Sequence, residues 1–180
     1  GYEGVGDFLT DTNAAVVLEA ARAINDLPIV PALQKLAALL TNSALLQRQE
    51  LASQAQRDAI ARRKNAKNPE PQNEPDVLLQ PLLRRILNAQ FRLGQPEHAA
   101  ALVAHAVSGP GPSAVRAEAL QMLEDWEQPS GRDRVTGLWR PLKPRNLNVA
   151  RGALRPHFTA LLGEPSTTVK LAAIRAGTRL

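Results

Sequence analysis

Apolar and small residues recur at helical spacing in three stretches of this chain. In each stretch a valine is followed four residues later by an alanine and then directly by another apolar residue. Such spacing places the side chains on one narrow face of a helix, against which a second helix can pack closely. The three sets are Val16, Ala20 and Ala21; Val115, Ala119 and Leu120; and Val169, Ala173 and Ile174. This repetition predicts stacked helical hairpins.

The same periodicity, interrupted by proline and glycine, predicts helices along most of the chain. They are expected at 12–25, 30–40, 43–64, 77–93, 96–107, 112–126, 131–140, 148–162 and 165–180. The stretch 43–76 is a polar insertion, and its proline-rich part 65–76 indicates an exposed loop. The steps between equivalent positions are unequal. The predicted fold is therefore all-α, a right-handed α-solenoid of about four irregular HEAT-like hairpins within a single domain, 1–180.

Individual residues set the expected helix ends. Asp11 or Thr12 is expected to cap the first helix, and Pro31 fits the first turn of the second, where its missing N–H costs nothing. Gly94 provides a C-terminal stop. Pro156 is expected to split the helix at 148–162. The chain begins with glycine rather than methionine, which favours a piece of a larger protein.

Composition excludes several classes of site. The chain has 180 residues and no cysteine, so disulfides, thiolate metal sites and covalently attached haem are excluded within it. No run approaches the eighteen or so consecutive apolar residues of a membrane-spanning helix. Aromatic residues make up only 3% of the chain, and alanine and leucine dominate the apolar share, which favours closely packed helices.

Charge is distributed unevenly. The net charge is +5, but residues 1–127 hold 12 basic and 15 acidic residues, whereas 128–180 hold 10 basic and 2 acidic ones. Such asymmetry is typical of an anion-binding surface, or of a solvated surface facing another part of a larger protein. Most of the basic residues of 128–180 are arginines: Arg132, Arg134, Arg140, Arg145, Arg151, Arg155, Arg175 and Arg179.

The residue types that carry catalysis or bind metals form no recognisable site. His98 and His105 are seven residues apart, hence on one helix face, but a metal site needs further ligands and nothing in the spacing provides them. The carboxylates beside Trp126 sit at a helix end and favour a solvated turn. Phosphate-loop, nucleophile-elbow and zinc-protease motifs are absent from the sequence. The chain is therefore predicted to be no enzyme and to hold neither cofactor nor metal.

The most distinctive stretch is 129–141. Ser130 followed by Asp133 resembles a capping box at the start of the helix expected at 131–140. Arginines around a helix start could hold a phosphate or carboxylate. The favoured interpretation is structural: Asp133 caps or pairs with an arginine, while Trp126 and Trp139 fill the core between repeats, because large aromatics are scarce elsewhere.

Four runs carry a family resemblance: AARAINDLPI at 20–29, LLRRILNAQFRLG at 82–94, PSGRDR at 129–134 and GLWRPL at 137–142. They resemble the HEAT-repeat region of the membrane-bound-dehydrogenase-type haem-binding proteins of planctomycetes and verrucomicrobia. The resemblance implies a position between a dehydrogenase-like β-propeller and a cytochrome c module, in an exported, periplasmic protein. It transfers no catalytic residue, because neither the propeller nor a haem-attachment motif lies in this sequence.

The function predicted from the sequence is a non-catalytic scaffold or protein-interaction module that acts as a spacer between such domains. Its contacts with an acidic partner or neighbouring domain are assigned to Arg132, Arg134, Arg140, Arg145 and Arg151. Two alternatives stay open. One is a nucleic-acid-binding HEAT-like domain that uses the basic C-terminal segment. The other is an enzyme on a HEAT scaffold, which would need a polar pocket with perturbed titratable groups.

Overall fold

A computed structural model describes residues 2–27, 29–65 and 78–180, with side chains described from residue 4 and, in the second range, as far as residue 62. These residues are mainly helical and contain no β-strand. The first four α-helices are α1 (Ala14–Asp26), α2 (Val30–Ala38), α3 (Ser43–Asn65) and α4 (Leu79–Leu93). The others are α5 (Pro96–Ser108), α6 (Ser113–Glu124), α7 (Leu147–Leu154), α8 (Phe158–Leu162) and α9 (Thr167–Arg179). The predicted all-α class is confirmed.

Local sequence accounts for most helix ends. The side chain of Asn13 caps α1 by accepting from the Ala15 N–H, so the cap lies one residue beyond the predicted one. Pro31 stands in the first turn of α2, as predicted. Gly94 ends α4 in the left-handed conformation with φ of 66°, which glycine adopts without strain. A 3-10 turn containing Pro156 separates α7 from α8, which confirms the predicted split.

Two segments differ from the prediction. The helix expected at 131–140 is wrong: these residues form an irregular loop with one isolated antiparallel bridge, between Arg132 and Trp139. A 3-10 helix at Tyr2–Thr10 had no counterpart in the prediction, and it packs on α1 and α2 through the buried Leu9. The loop expected at 65–76 lies, apart from its first residue, outside the described residues.

The core follows the predicted stripes with two exceptions. All three stripe residues of α6 are buried, but Val16 of the first set is only partly covered, and Ile174 of the third is 41% exposed. The broad apolar face of α4 is buried as predicted: Leu79, Leu82, Leu83, Ile86, Leu87 and Phe91. The helices share this core: α1 and α2 pack on α4, α4 on α5, α5 on α6 and α7, and α6 on α9.

The polar helix α3 joins the core along part of its length. Leu45 and Leu46 are buried, whereas Leu51 is largely exposed. Buried Ser53 accepts a hydrogen bond from the backbone N–H of Leu79 at 2.9 Å, so α3 provides an acceptor for a backbone donor at the N-terminus of α4. Across the described parts of the chain, no helix is both long and apolar enough to cross a membrane.

Candidate partner-binding surface on the 126–146 loop

The chain between α6 and α7, the 126–146 loop, is attached to the helices mainly by buried Asp133. One carboxylate oxygen accepts hydrogen bonds from the N–H groups of Val135 and Thr136 at 3.0 and 2.9 Å, and from the Thr136 hydroxyl. The other oxygen accepts from Asn88 at 3.0 Å and Arg92 at 3.3 Å on α4. Burial acts to raise the pKa of Asp133, but hydrogen bonds from Thr136, Asn88 and Val135 outweigh it and lower that pKa. The carboxylate is therefore held ionised inside the protein.

Arg140 attaches the loop to a second helix. Its guanidinium donates to the backbone carbonyls of Asn25, at 2.8 Å, and Asp26, at the C-terminus of α1. Those carbonyls lack partners within the helix and carry the negative end of its dipole, so a cation there is favourable. Arg85 of α4 adds two hydrogen bonds to the Asp26 carboxylate, at 2.7 and 3.2 Å. Charged groups thus join the C-terminus of α1 to α4 and to the loop.

Arg145 lies between two aromatic rings. Its guanidinium carbon is 4.9 Å from the centre of the Phe91 ring and 4.8 Å from that of Trp126. Burial, with repulsion from Arg92, lowers the pKa of Arg145 to about 10, so the side chain remains a cation at neutral pH. The group also lies over Gly94, where a Cβ would come within 2.6 Å of the guanidinium carbon. Arg145 is therefore part of the core at the C-terminus of α4.

Arg134 is likewise engaged inside the protein. Its guanidinium donates to the Asp125 carboxylate at 2.8 Å and lies 5.9 Å from the centre of the Phe91 ring. Its backbone carbonyl accepts from Arg84, whose guanidinium also forms a two-point ion pair with Glu118. A bidentate pair of this kind fixes orientation as well as adding energy.

Of the five arginines predicted to bind a partner, three are thus used for internal contacts and two are exposed. Arg132 donates to the Gly137 carbonyl at 3.1 Å, at the tip of the loop, and Arg151 lies on α7. Arg134, Arg140 and Arg145 hold the 126–146 loop on the helices instead of facing solvent. Partner binding by the five stays a prediction, and its exposed candidates are Arg132 and Arg151.

The tip of the loop presents apolar side chains to solvent. Leu138 is 54% and Trp139 71% exposed, so the prediction that Trp139 fills the core is wrong, whereas Trp126 is fully buried as predicted. The tip is a short antiparallel turn in which the backbone N–H of Asp133 donates to the Leu138 carbonyl at 2.8 Å. The Trp139 ring lies on Gly131, where a Cβ would overlap it. The exposed tryptophan is therefore held against backbone in a defined position.

The basic segment 128–180 has no carboxylate available to balance this surface. All of its residues are described, and its two acidic side chains are both engaged: Asp133 as above, and Glu164 with Arg116 of α6, at 2.7 and 3.1 Å. Hydrogen bonds from Arg116 lower the pKa of Glu164. The exposed arginines of this segment therefore produce a positive field that its own residues do not cancel.

The histidines form no metal site. Among the described residues, no group of three or more His, Cys, Asp or Glu side chains could hold an ion. His98 accepts from the Gln95 N–H at 3.0 Å at the start of α5. His105 is buried, and neither ring nitrogen has a hydrogen-bond partner within the described structure. Burial, with repulsion from Arg116, lowers the pKa of His105 to about 4, so this imidazole is neutral at pH 7.

Sequence reasoning missed the helix residues that receive the loop. Asn25 and Asn88 are buried, and the Asn88 amide donates to the Asn25 side chain at 2.8 Å as well as to Asp133. The available signal was at Asn88, which lies between the apolar neighbours Leu87 and Ala89, whereas Asn25 is followed by Asp26 and gives no such signal. A polar residue inside an apolar run indicates a buried hydrogen-bond partner from elsewhere in the chain.

Comparisons with protein families, with curated proteins and with solved structures found no match for this chain. The resemblance to the haem-binding dehydrogenase-type proteins therefore rests on the four sequence runs alone.

Proposed function

We propose that this chain is a non-catalytic helical module that binds a partner protein through the tip of the 126–146 loop. The observation that carries the proposal is Trp139, a large apolar side chain that is 71% exposed on a loop whose base is buried in the helical core. Tryptophan and arginine are enriched among the residues that dominate binding energy at protein interfaces. Leu138 and Arg132 extend the same exposed tip.

The attachment of the loop supports binding by a rigid surface. Ordering a loop on binding consumes part of the interaction energy, so a loop that is already ordered binds more tightly. Here the Asp133 hydrogen bonds and the Arg140 contacts with the end of α1 order the loop before any partner arrives. The Trp139 ring is also positioned, because it lies on the Gly131 backbone.

The chemistry of the tip describes the partner. An apolar pocket for Trp139, surrounded by carboxylates that face Arg132 and the other exposed cations of 128–180, would complement it in shape and charge. Exposed charges at the edge of an interface mainly raise the association rate, whereas a buried aromatic anchor slows dissociation. The partner is therefore an acidic protein, or an acidic neighbouring domain of a longer chain.

The architecture within this proposal is an irregular HEAT-like α-solenoid, right-handed, with about four hairpins. Its support is the succession of packing contacts from α1 and α2 to α4, from α4 to α5 and from α5 to α6, on which α9 then packs. A spacer between a dehydrogenase-like propeller and a cytochrome c domain of an exported protein belongs to the same proposal. It is supported by the resemblance of the four sequence runs.

A crosslinking experiment followed by affinity measurement tests the proposal. A benzophenone amino acid in place of Leu138 identifies the protein that contacts the tip, which is then purified. Trp139→Ala should weaken its affinity by about 30-fold or more, since anchors at interface centres contribute about 2 kcal/mol or more. Leu171→Ala, an exposed apolar residue on α9, is the matched control and should leave affinity unchanged. Equal affinity of wild type and Trp139→Ala would contradict the proposal.

Nucleic acid is the second candidate partner, favoured by the absence of an unengaged carboxylate in the fully described segment 128–180. Phosphate contacts make such binding strongly salt-dependent. Fluorescence anisotropy with duplex DNA over a salt series tests it directly. Salt-dependent binding tighter than about 100 µM, the range of non-specific affinities, would favour nucleic acid over an acidic protein. Its absence would remove this candidate.

A further inference from the structure

A second candidate site lies on the side of the C-terminal helices, in a cleft formed by α7, the 3-10 turn at Arg155–His157, α8 and the end of α9. Its volume is about 280 Å³. The cleft is lined by Arg151, Leu154, Arg155, Phe158, Thr159 and Gly177, with Leu180. None of these residues belongs to the 126–146 loop, although Arg151 is also one of the exposed arginines predicted to contact a partner.

The floor of the cleft is apolar. Leu154 is buried, and Phe158 is half-buried and packed against the core. The Phe158 ring lies directly on α9 at Gly177, where a Cβ would overlap the ring. Glycine at this position therefore lets the Phe158 ring lie against α9 at the floor of the cleft, because a Cβ there would overlap the ring.

The rim of the cleft is cationic. Arg151 and Arg155 are both exposed and lie four residues apart, hence on the same side of the chain. Arg151 donates through Nε to the Leu180 carbonyl and through Nη1 to Asn148, which leaves other N–H donors of its five available. Arg155 has no hydrogen-bond partner among the residues that the structure describes.

Side chains of Asp and Glu do not compete for these arginines. The residues lining the cleft, all within the described segment 147–180, include no Asp or Glu. The only acidic residue of that segment, Glu164, is paired with Arg116. Two guanidinium groups above an apolar floor can hold a carboxylate in two-point geometry while its hydrocarbon tail covers Leu154 and Phe158.

We propose that this cleft binds a carboxylate with a short to medium hydrocarbon tail. The tail length is matched to the volume of the cleft, which equals about nine water molecules at ~30 Å³ each. The anionic head contacts Arg155 and Arg151, and the tail lies against Phe158. Neither contact involves Trp139, the residue that carries the protein-binding function proposed above.

Titration of the chain with three probes of equal tail length, octanoate, octanol and octylamine, tests the proposal by calorimetry and by NMR. Octanoate should bind with a dissociation constant of about 1 mM or below, as ligand efficiencies for molecules of this size imply. Octanol should bind at least about tenfold more weakly, because it lacks the charge-assisted hydrogen bonds. Octylamine should show no binding. Equal binding of octanol and octanoate, or no binding of octanoate, would overturn the proposal.

Two variants test the named residues against a matched control. Arg155→Gln should weaken octanoate binding by about tenfold, since it removes one charged donor. Gly177→Ala should displace the Phe158 ring and reduce the affinity for octanoate and octanol together. The control is Arg175→Gln, an exposed arginine of α9 outside the cleft, which should bind octanoate as the wild type does. An unchanged affinity of Arg155→Gln, with its fold verified by circular dichroism, would overturn the assignment.

Discussion

Replacing Asp133 by asparagine tests whether the buried carboxylate holds the 126–146 loop on the helices. The substitution preserves shape but removes the charge and turns one acceptor oxygen into an N–H donor. In the wild type that oxygen accepts from Asn88 and from Arg92, so in the variant the new N–H group would face the N–H groups of these two side chains. The Arg92 guanidinium, whose side chain is only 18% exposed, would lose its ion-pair partner. The variant therefore leaves a mostly buried cation without a counter-charge.

The expected loss of unfolding free energy is about 3 kcal/mol. Breaking a buried ion pair by removing one partner costs about 3–5 kcal/mol, and the residual exposure of Arg92 favours the lower end. For a chain of this size the loss corresponds to a fall in Tm of roughly 6–12 °C. Urea denaturation at pH 7, followed by circular dichroism and tryptophan fluorescence, measures it. The exposed pair of Asp7 with Lys35 provides the control: Asp7→Asn should cost at most about 1 kcal/mol.

A double-mutant cycle separates this pair from other effects of the substitution. In an Arg92→Leu background no guanidinium remains to be left unpaired, so Asp133→Asn should cost at least about 1.5 kcal/mol less than in the wild type. An Asp133→Asn loss below about 1 kcal/mol, or an equal loss in both backgrounds, would refute the account of the network.

Lowering the pH should also reduce the unfolding free energy. Because the pKa of Asp133 is lowered on folding, its contribution is present above the unfolded value of about 3.9 and is lost as pH falls through the lower folded value.

Three further predictions concern other parts of the structure. The His105 pKa of about 4 lies below the unfolded value near 6.5, so the unfolding free energy should fall by up to about 3 kcal/mol as the pH is lowered from about 6.5 to 4. Urea denaturation at both pH values should show a much smaller loss in His105→Gln. Gly94→Ala should lower the unfolding free energy by about 1–3 kcal/mol, measured by urea denaturation, because φ is 66° and the new Cβ would displace Arg145. Ser166→Ala should lower Tm by a few degrees, about 1 kcal/mol, through loss of the α9 cap.

The helices were predictable because their signals are local. Prolines in first turns and a left-handed glycine act within a few residues of the helix ends, and the 3.6-residue apolar period needs only the helix itself. Pro31 and Gly94 behave as the sequence predicts. Ile174 does not, although it occupies the stripe position of the buried Leu120. Periodicity identifies a face, but whether another element covers that face depends on the fold as a whole.

The error at 131–140 has a specific physical cause. A side-chain oxygen that accepts from N–H groups two or three residues later occurs both at a helix N-cap and in an isolated turn. Asp133 makes such bonds to Val135 and Thr136, so the local signature is the same in either case. The outcome is decided by Asn88 and Arg92, more than forty residues earlier in sequence, which take the other carboxylate oxygen. No local pattern contains that information.

The candidate surface could be predicted only in part, because the sequence gives the charged residues but not the groups that surround each of them in the fold. The excess of arginine in 128–180 indicates an anion-binding surface. Arg140, however, contacts the C-terminus of α1, and Arg145 packs on aromatic rings. The scarcity of aromatics made a buried Trp139 the simplest expectation. Trp126 fills the core position instead, with Arg145 and Phe91 against its ring. Trp139 is then free to lie at the surface.

Stability and partner binding should therefore be separable within one loop. Asp133 determines whether the loop is ordered at all, so its loss should reduce both the unfolding free energy and any binding through Trp139. Gly131 acts only on the exposed ring, because a Cβ there would overlap Trp139, which is mostly in solvent. Gly131→Ala should move the ring and weaken partner binding while the unfolding free energy changes little. If the two variants affected binding and stability in the same proportion, Trp139 would be part of the fold and not its exposed anchor.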